Sequence, residues 1–334
     1  MSYSQQDKTD KDFTPEPVCL SVGNTIKYRR LDKYLQGRFN DYSRALLQQT
    51  IKEGKVRVNG KTVKPSHKLN PGDSIEIILP ELPSSEIEPQ NLPLNVIYED
   101  EDIIVINKQS DMIVHPARRY TRGTLVNALT WRFKQLSSGL GGMRPGIVHR
   151  LDRNTTGVMV VTKNDTAQSK IAKQFQSRKV KKTYLAIVQG CPQLDADRIN
   201  APLGVHPRKR EKYSVRPKTG KDAVTFYKVL EGFQGYSLLE LDIKTGRTHQ
   251  IRVHLSYIKH PVVGDDMYGG KLVYPWQLKG ESRKIEEPVI TRPALHAHTL
   301  QFRHPGTGKQ VKFTAELPED IQKLLDILRK YRKT

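Results

Sequence analysis

Cysteine is scarce in this chain of 334 residues, and long apolar runs are missing from it. Cys19 and Cys191 are its only cysteines, which argues against a disulfide framework and against a zinc site built on several cysteines. No apolar stretch reaches the roughly 18 residues that a membrane span requires. Residues 1–17 are polar and of mixed charge, without the apolar core of a signal peptide. These absences predict a protein of the reducing cytoplasm.

Acidic residues are also in short supply. The chain has 35 Asp and Glu against 56 Lys and Arg, so its formal net charge is +21. A positive excess of this size indicates a polyanionic partner, either a nucleic acid or an anionic membrane. Because the sequence offers no membrane-spanning segment, we expect the partner to be RNA and expect no membrane association.

Turn residues and changes of pattern divide the chain. We expect residues 1–20 to be disordered, 25–80 to form a small basic α/β unit, 81–95 to be a proline-bearing linker, 96–320 to form a large domain, and 321–334 to be the basic end of a C-terminal helix. Strand-like runs dominate the large domain and helical patterns are fewer. This mixture predicts an α+β fold whose sheet is mixed and largely antiparallel.

The small unit combines a basic helix with a hairpin. Asp41 or Ser43 can cap the helix, and Gly54 can end it. Val56-Arg57-Val58 then alternates as a strand, and Asn59-Gly60 supplies a tight turn. Basic helix faces are usually only solvated, but a basic helix followed by this hairpin favours RNA binding. The segment resembles the S-four (S4) RNA-binding domain of ribosomal proteins and several RNA-modifying enzymes.

One carboxylate stands out in the large domain. Residues 146–157 read Gly-Ile-Val-His-Arg-Leu-Asp-Arg-Asn-Thr-Thr-Gly, with apolar strand-like runs on both sides of a loop that carries Asp152. Loops held between rigid elements often carry catalytic groups. Arg150 and Arg153 flank the carboxylate and favour its ionised form. The alternative is an aspartate whose side chain makes an ordinary turn hydrogen bond.

This loop and a second stretch, Gly246-Arg247-Thr248-His249-Gln250-Ile251-Arg252-Val253-His254, closely resemble the RluA-type pseudouridine synthases, which isomerise uridine in structured RNA. That family's His-Arg-Leu-Asp motif stands at 149–152 and its Thr-Thr-Gly at 155–157. Further matching pieces bring the resemblance to roughly residues 96–317: 114–116, 123–129, 181–184, 264–265 and 268–270. Gln109 and Asn154 depart from the usual pattern, and we interpret both as loop variation.

The resemblance implies roles for six residues. Asp152 corresponds to the essential aspartate, Arg247 to the arginine that pairs with it, and Tyr184 to the tyrosine that stacks on the target base and is a candidate for the C5 proton step. Arg150 corresponds to an arginine that helps displace that base, and His149 and His115 are interpreted as substrate contacts. The resemblance also implies a mixed sheet with the active-site cleft along its middle.

The reaction breaks the N-glycosidic bond, turns the base and joins C5 to the ribose, without a change of redox state. We therefore expect no metal and no cofactor, and the histidines support this because His249 and His254 lack a metal-binding spacing. Asp152 either attacks C1′ or removes the C2′ proton, and both roles need the ionised carboxylate.

Several alternatives stay open at this point. Arg247 and Arg150 could be plain phosphate contacts, and Tyr184 could be core filler. The substrate is expected to be large-subunit ribosomal RNA, because the branch that modifies it carries the S-four domain, with transfer RNA as the alternative. The non-enzyme alternative is an inactive RNA-binding ribosome assembly factor, against which the retention of Asp152, Tyr184 and Arg247 argues. We expect a monomer.

Overall fold

A computed structural model describes residues 17–26, 29–39, 42, 44–80, 87–116, 120–134, 136–137 and 144–333. The chain divides into two compact units, Met1–Glu86 and Ile87–Thr334. Most of the predicted disordered tail, and both predicted capping residues Asp41 and Ser43, lie outside the described residues. None of the helices in the described ranges has the length and apolar composition to cross a membrane.

The N-terminal unit is a small antiparallel sheet with two helices. Its elements are β1 (Val18–Ser21), α1 (Leu31–Arg38), α2 (Arg44–Lys52), β2 (Val56–Val58), β3 (Lys61–Thr62) and β4 (Ser74–Ile77), with the strands in the order β1-β4-β2-β3. The predicted hairpin is confirmed: Asn59 and Gly60 join β2 to β3 with φ of 50° and 75°, the left-handed conformation that such a turn requires.

We predicted disorder for residues 1–20, and this prediction is wrong for residues 18–20. Residues 18–21 form β1, which pairs with β4 from Val18↔Ile77 to Ser21↔Ser74. Leu20 packs against the core of this unit, so the pairing both covers an edge of β4 and buries apolar surface.

A buried carboxylate organises the basic surface of this unit. Asp32 is fully buried in α1 and accepts hydrogen bonds from Arg30, Arg44 and Gln48. Burial alone would raise the pKa of Asp32, but these hydrogen bonds outweigh it and hold the pKa well below its ordinary value. The two guanidinium groups are thereby fixed side by side while their side chains stay 44% and 39% exposed.

The C-terminal unit is built on a nine-stranded sheet with the order β5-β6-β7-β14-β8-β13-β12-β9, on which β15 pairs with β14. Its strands are β5 (Asn95–Glu99), β6 (Ile103–Lys108), β7 (Thr156–Thr162), β8 (Lys181–Gln189), β9 (Ala196–Asn200), β12 (Val224–Phe233), β13 (Tyr236–Ile243), β14 (Leu295–Arg303) and β15 (Gln310–Thr314), and a separate pair is formed by β10 (Leu203–Val205) and β11 (Tyr213–Val215). Its helices are α3 (Leu125–Arg132), α4 (Asp165–Gln176), α5 (Gln250–Tyr257), α6 (Pro275–Lys279) and α7 (Glu319–Tyr331). Among the described strands β7 and β14 run parallel and the other pairs antiparallel, which confirms the predicted mixed, largely antiparallel sheet.

The middle of this sheet is buried on both faces. All seven residues of β7 are buried, and successive side chains alternate between two cores. Met159 and Val161 face the larger core, which also contains residues of α3, α5 and α7. Val158 and Val160 face the smaller core under α4. This double burial explains why the sequence of β7 is a continuous apolar run.

Two predicted boundaries shift in the structure. Residues 87–94, predicted as linker, pack onto the C-terminal unit: Leu92 and Leu94 contact its main core, and the Asn127 side-chain amide donates to the Glu88 carbonyl at 2.8 Å. The predicted boundary at residue 320 is also wrong. It falls inside α7, whose buried face, Ile321 to Leu328, belongs to the same core.

Candidate active site

A buried lysine anchors the loop that carries Asp152. Lys108, at the end of β6, is 2% exposed, and its Nζ donates to the carbonyls of Gln109 at 2.7 Å, Met112 at 3.0 Å and Arg153 at 3.0 Å. Burial lowers the pKa of Lys108 to about 7, although the nearby Asp152 acts to raise it. The three hydrogen bonds tie the turn after β6 to the loop that carries Asp152. Sequence reasoning missed this role, since Lys108 was not among the residues that it singled out.

Close packing fixes the other end of the loop. Gly157 has a φ of 121°, and a Cβ atom at this position would lie 2.2 Å from the carbonyl oxygen of Ala297 in β14. The glycine of the Thr-Thr-Gly motif is therefore needed for the short parallel contact between β7 and β14. Arg292 donates to the Asn154 carbonyl at 3.2 Å while it pairs with Asp320 in α7, so the C-terminal helix also braces the loop.

Asp152 lines an open cleft, and its side chain is 21% exposed. Its Oδ2 lies 3.4 Å from Arg252 Nη1 and 3.9 Å from His249 Nε2. Its Oδ1 contacts no hydrogen-bond donor of the described residues. The turn hydrogen bond of the loop is made by the backbone, from Thr155 N to Asp152 O at 3.1 Å. The carboxylate is therefore not occupied by the turn, which removes the ordinary structural interpretation of this aspartate.

Arg252, not Arg247, is the arginine beside the Asp152 carboxylate. It is 8% exposed, and it makes a two-pronged ion pair with the buried Asp265 at 2.6 and 2.7 Å. Its third nitrogen is left to face Asp152, and its guanidinium lies 4.9 Å from the Tyr268 ring centre. Burial acts to lower the pKa of Arg252, but Asp265 and Asp152 outweigh it and raise the pKa, so this guanidinium is permanently charged.

The predicted pairing of Arg247 with Asp152 is therefore wrong in the structure. Arg247 lies in the turn before α5, and its Nε donates to the Asp222 carbonyl at 3.1 Å. The helix begins only at Gln250, after His249 in the left-handed conformation with φ 57°. Arg252 then falls on the buried side of the first turn and faces Asp152, whereas Arg247 stays on the rim of the cleft.

Tyr184 lies in the wall of the same cleft, as predicted. It comes from β8 and is 8% exposed. Burial, helped by the charge of Asp152, raises the pKa of Tyr184 well above its ordinary value. The hydroxyl therefore stays protonated at neutral pH, and the side chain presents an uncharged aromatic surface near the carboxylate.

The other predicted substrate contacts have different surroundings. Arg150 is exposed on the cleft wall, free to meet a ligand. His149 stacks on Phe175 at 4.6 Å and its Nε2 accepts from Val160 N at 3.0 Å, and burial lowers its pKa to about 3. His149 is thus a neutral, structural part of the wall. His115 is not among the cleft-lining residues, and burial, together with Arg144 and Arg150, lowers its pKa to about 4.

The cleft has a volume of about 330 Å³. The loop that carries Asp152 forms one side, and the start of β8, the end of β13 and the start of α5 form the other. Within the described ranges no cluster of three or more His, Cys, Asp or Glu side chains is arranged to hold a metal ion. His254 is fully buried and bonds to Thr225 and Ala201, so its role is structural.

Known proteins share this sequence over nearly its whole length. A family model described as RNA pseudouridylate synthase matches residues 102–257, and an S4 domain model matches residues 29–75. An uncharacterized RNA pseudouridine synthase of Bacillus subtilis, YlyB, is 42% identical over 313 residues, which are 94% of this chain and 98% of that protein. The chain belongs to the RNA pseudouridine synthase family.

Other relatives and a solved structure also carry the name of a pseudouridine synthase. The ribosomal large subunit pseudouridine synthase D of Xanthomonas campestris is 40% identical, over 95% of this chain and 96% of its own. Among solved structures, human RNA pseudouridylate synthase domain containing 4 superposes with a TM-score of 0.54 at 27% identity, over 70% of this chain and 93% of its own. The predicted resemblance to RluA-type enzymes with an N-terminal S4 domain is confirmed, and RNA is the substrate class.

Proposed function

We propose that this pseudouridine synthase modifies uridines of large-subunit ribosomal RNA, with Asp152 as the essential group. The substrate proposal rests on relatives named ribosomal large subunit pseudouridine synthase D, which match both the S4 domain and the catalytic unit over 90% or more of this chain. The same proposal assigns the enzyme to the cytoplasm, where ribosomal RNA is modified. Transfer RNA is the alternative substrate, and an inactive assembly factor is the non-enzyme alternative.

The proposed role of Asp152 rests on its carboxylate, of which only Oδ2 has partners among the described residues. Arg252 and His249 approach Oδ2, whereas Oδ1 has no hydrogen-bond partner among the described residues, and Asp152 lines the cleft. Asp265 already takes up the charge of Arg252, so the trio of Asp265, Arg252 and Asp152 keeps one net negative charge for the ribose. An ionised, oriented carboxylate with a free oxygen is what attack at C1′ or proton removal at C2′ requires.

Tyr184 then acts through its ring. Its raised pKa makes the phenolate scarce at neutral pH, so we assign it to stacking against the uracil rather than to general-base chemistry. During the reaction the N1–C1′ bond breaks, the C5–C1′ bond forms, and the proton on C5 is replaced by one on N1. Product and substrate are isomers, so no redox partner is required. Arg150, exposed on the rim, is assigned to displacing the target base.

Pseudouridine mapping tests substrate and essential group together. Total RNA is compared from cells that carry the gene, cells that lack it, and cells that lack it but express Asp152→Asn. We expect a large-subunit ribosomal site to disappear without the gene, and Asp152→Asn not to restore it. A lost transfer RNA site would replace the ribosomal proposal, and an unchanged map would favour the assembly factor.

The purified variant separates chemistry from binding. Asp152→Asn keeps the size of the side chain but removes its charge, so RNA affinity should stay close to wild type while turnover is lost. Residual turnover within about tenfold of wild type would contradict an essential role, since removal of such a group usually costs several powers of ten.

A further inference from the structure

A second cavity, here called the basic pocket, adjoins the catalytic cleft. Its volume is about 250 Å³, and it shares Phe175, Lys182, Gly246 and Arg247 with the wall of the cleft. Four of its lining side chains are cations, and no Asp or Glu of the described residues lines it. A concave site with this charge favours the binding of an anion. Because the pocket and the cleft share a wall, one molecule can occupy the cleft and place an anionic group in the pocket.

Lys182 is a partly buried cation of this pocket whose ammonium has no hydrogen-bond or ion-pair partner among the described residues. It is half-buried at the start of β8, and its Nζ lies 5.9 Å from the centre of the Phe175 ring. This ammonium forms neither a hydrogen bond nor an ion pair with any residue of the described ranges. Burial lowers the pKa of Lys182, against a smaller opposing effect of Asp242. A partly desolvated ammonium without a counter-ion is costly unless a ligand supplies the negative charge.

The neighbouring cations show why Lys182 differs from an ordinary surface lysine. Lys244, on the same pocket wall, is exposed and is already paired with Asp242 at 2.8 Å. Arg247 uses Nε for the Asp222 carbonyl, so that the two terminal nitrogens of its guanidinium remain for a ligand. Arg178 also lines the pocket and is exposed. Lys182, Arg247 and Arg178 can therefore surround one anion.

We propose that the basic pocket binds a backbone phosphate next to the target uridine, with Lys182 as the central contact. This inference rests on the proposed function in one respect, namely that the uridine enters the cleft with its ribose at Asp152. A ribose held there carries a phosphate on each side, and the shared wall of Lys182, Gly246 and Arg247 leads from the cleft directly into the pocket. Phosphate contacts fix the register of a nucleic acid on its protein without reading sequence. Lys182 would thus position the nucleotide rather than take part in the chemistry.

The test uses ligands that differ only in phosphate. Dissociation constants of uridine and of uridine 3′,5′-bisphosphate are measured by NMR titration for the full chain and for Lys182→Gln. A matched control, Lys309→Gln, removes one cation from an exposed position outside the cleft and the basic pocket. We expect wild type and the control to bind the bisphosphate roughly tenfold or more tightly than uridine, and Lys182→Gln to lose most of that preference. The two monophosphates, 3′ and 5′, then identify which phosphate is bound.

A preference that is absent in wild type, or that survives in folded Lys182→Gln, overturns the proposal. If Lys182→Gln melts early, Arg178→Gln provides the same comparison at an exposed side chain and should weaken the preference by roughly threefold. An unchanged preference in that variant also counts against the pocket. The measurement needs no turnover, so a failure of the ribosomal RNA proposal in the mapping experiment is distinguishable from a failure here.

Discussion

Replacement of Arg252 by lysine tests the central ion-pair arrangement. Lysine keeps the positive charge but has a single ammonium group in place of the planar fork. Arg252 now holds the buried Asp265 with two nitrogens at 2.6 and 2.7 Å and faces Asp152 with the third at 3.4 Å. An ammonium cannot serve both carboxylates in this geometry. It should remain with Asp265, because an unpaired buried carboxylate is the costlier outcome.

The expected magnitude follows from what each carboxylate loses. Asp265 loses one of two charged hydrogen bonds, which should destabilise the fold by on the order of 1–3 kcal/mol and lower the melting temperature by several degrees. Asp152 loses its only guanidinium contact of the described residues, so its carboxylate can leave the reactive position. Misplacement of a catalytic group by about an ångström costs on the order of 100-fold in rate. We expect Arg252→Lys to lose turnover by at least that factor while RNA affinity changes little.

The matched control is Arg247→Lys, five positions earlier in the same motif. Turnover is measured in single-turnover experiments as tritium released from RNA labelled at C5 of uridine, since isomerisation replaces that proton. At saturating RNA the control should keep nearly wild-type turnover, because Arg247 makes no contact with Asp152 and its charge is retained. Since Arg247 also lines the basic pocket, the control should lose RNA affinity instead. A larger loss of turnover in Arg247→Lys than in Arg252→Lys, with both proteins folded at the assay temperature, would refute the reasoning.

Three further predictions concern cofactors, domains and pH. Enzyme treated with a chelator and dialysed should keep its single-turnover rate on a short pre-folded RNA hairpin, and dependence on added metal would contradict a metal-free reaction. A chain that begins at Ile87, and so keeps the Glu88, Gln90 and Leu92 contacts, should fold and isomerise uridine at high RNA concentration. For this shortened chain, the slope of the logarithm of the RNA-binding constant against the logarithm of the salt concentration should be shallower by about 0.7 to 0.9 per lost phosphate contact. An unchanged slope and affinity would show that the S4 unit does not bind the RNA. Burial lowers the pKa of His115 and of His296 to about 4 and that of His149 to about 3. Below about pH 6.5 these histidines therefore become protonated in the unfolded chain but stay neutral in the folded chain. Folding stability should therefore fall as the pH drops from about 6.5 toward 4, and a melting temperature that is equal or higher at about pH 5 than at pH 7 would contradict this assignment.

Local patterns predicted much of the secondary structure. The apolar run of β7, the alternation of β2 and the Asn59-Gly60 turn each depend on the conformational preferences of a few neighbouring residues. The C-terminal helix was predicted for the same reason, since Ile321, Leu324, Leu325 and Leu328 recur at helical spacing. Its attachment to the main core was not predicted, because periodicity identifies the apolar face of a helix without identifying what covers it.

The errors are at places where distant parts of the chain meet. Residues 87–94 have the proline-rich composition of a linker, yet they pack because Asn127 and the core near Leu92 happen to lie beside them. Residues 18–20 lie at the end of a polar segment, yet they pair with β4 because its edge is open to them. Neither contact has a signal in the composition of its own segment.

The sequence by itself determined which residues are available for the reaction: the motif loop with Asp152, the tyrosine of β8, and a stretch that contains both Arg247 and Arg252. The tertiary structure decided which arginine meets the carboxylate. Asp152 and Arg252 are 100 positions apart, and their contact depends on where β7 and α5 are placed by the sheet and on the residue at which α5 begins. It also showed that Lys108, which sequence reasoning did not single out, supports the loop that carries Asp152. Short-range preferences fix the conformation of a segment, whereas the pairing of buried charges is fixed only when the packed core brings the segments together and removes water from between them.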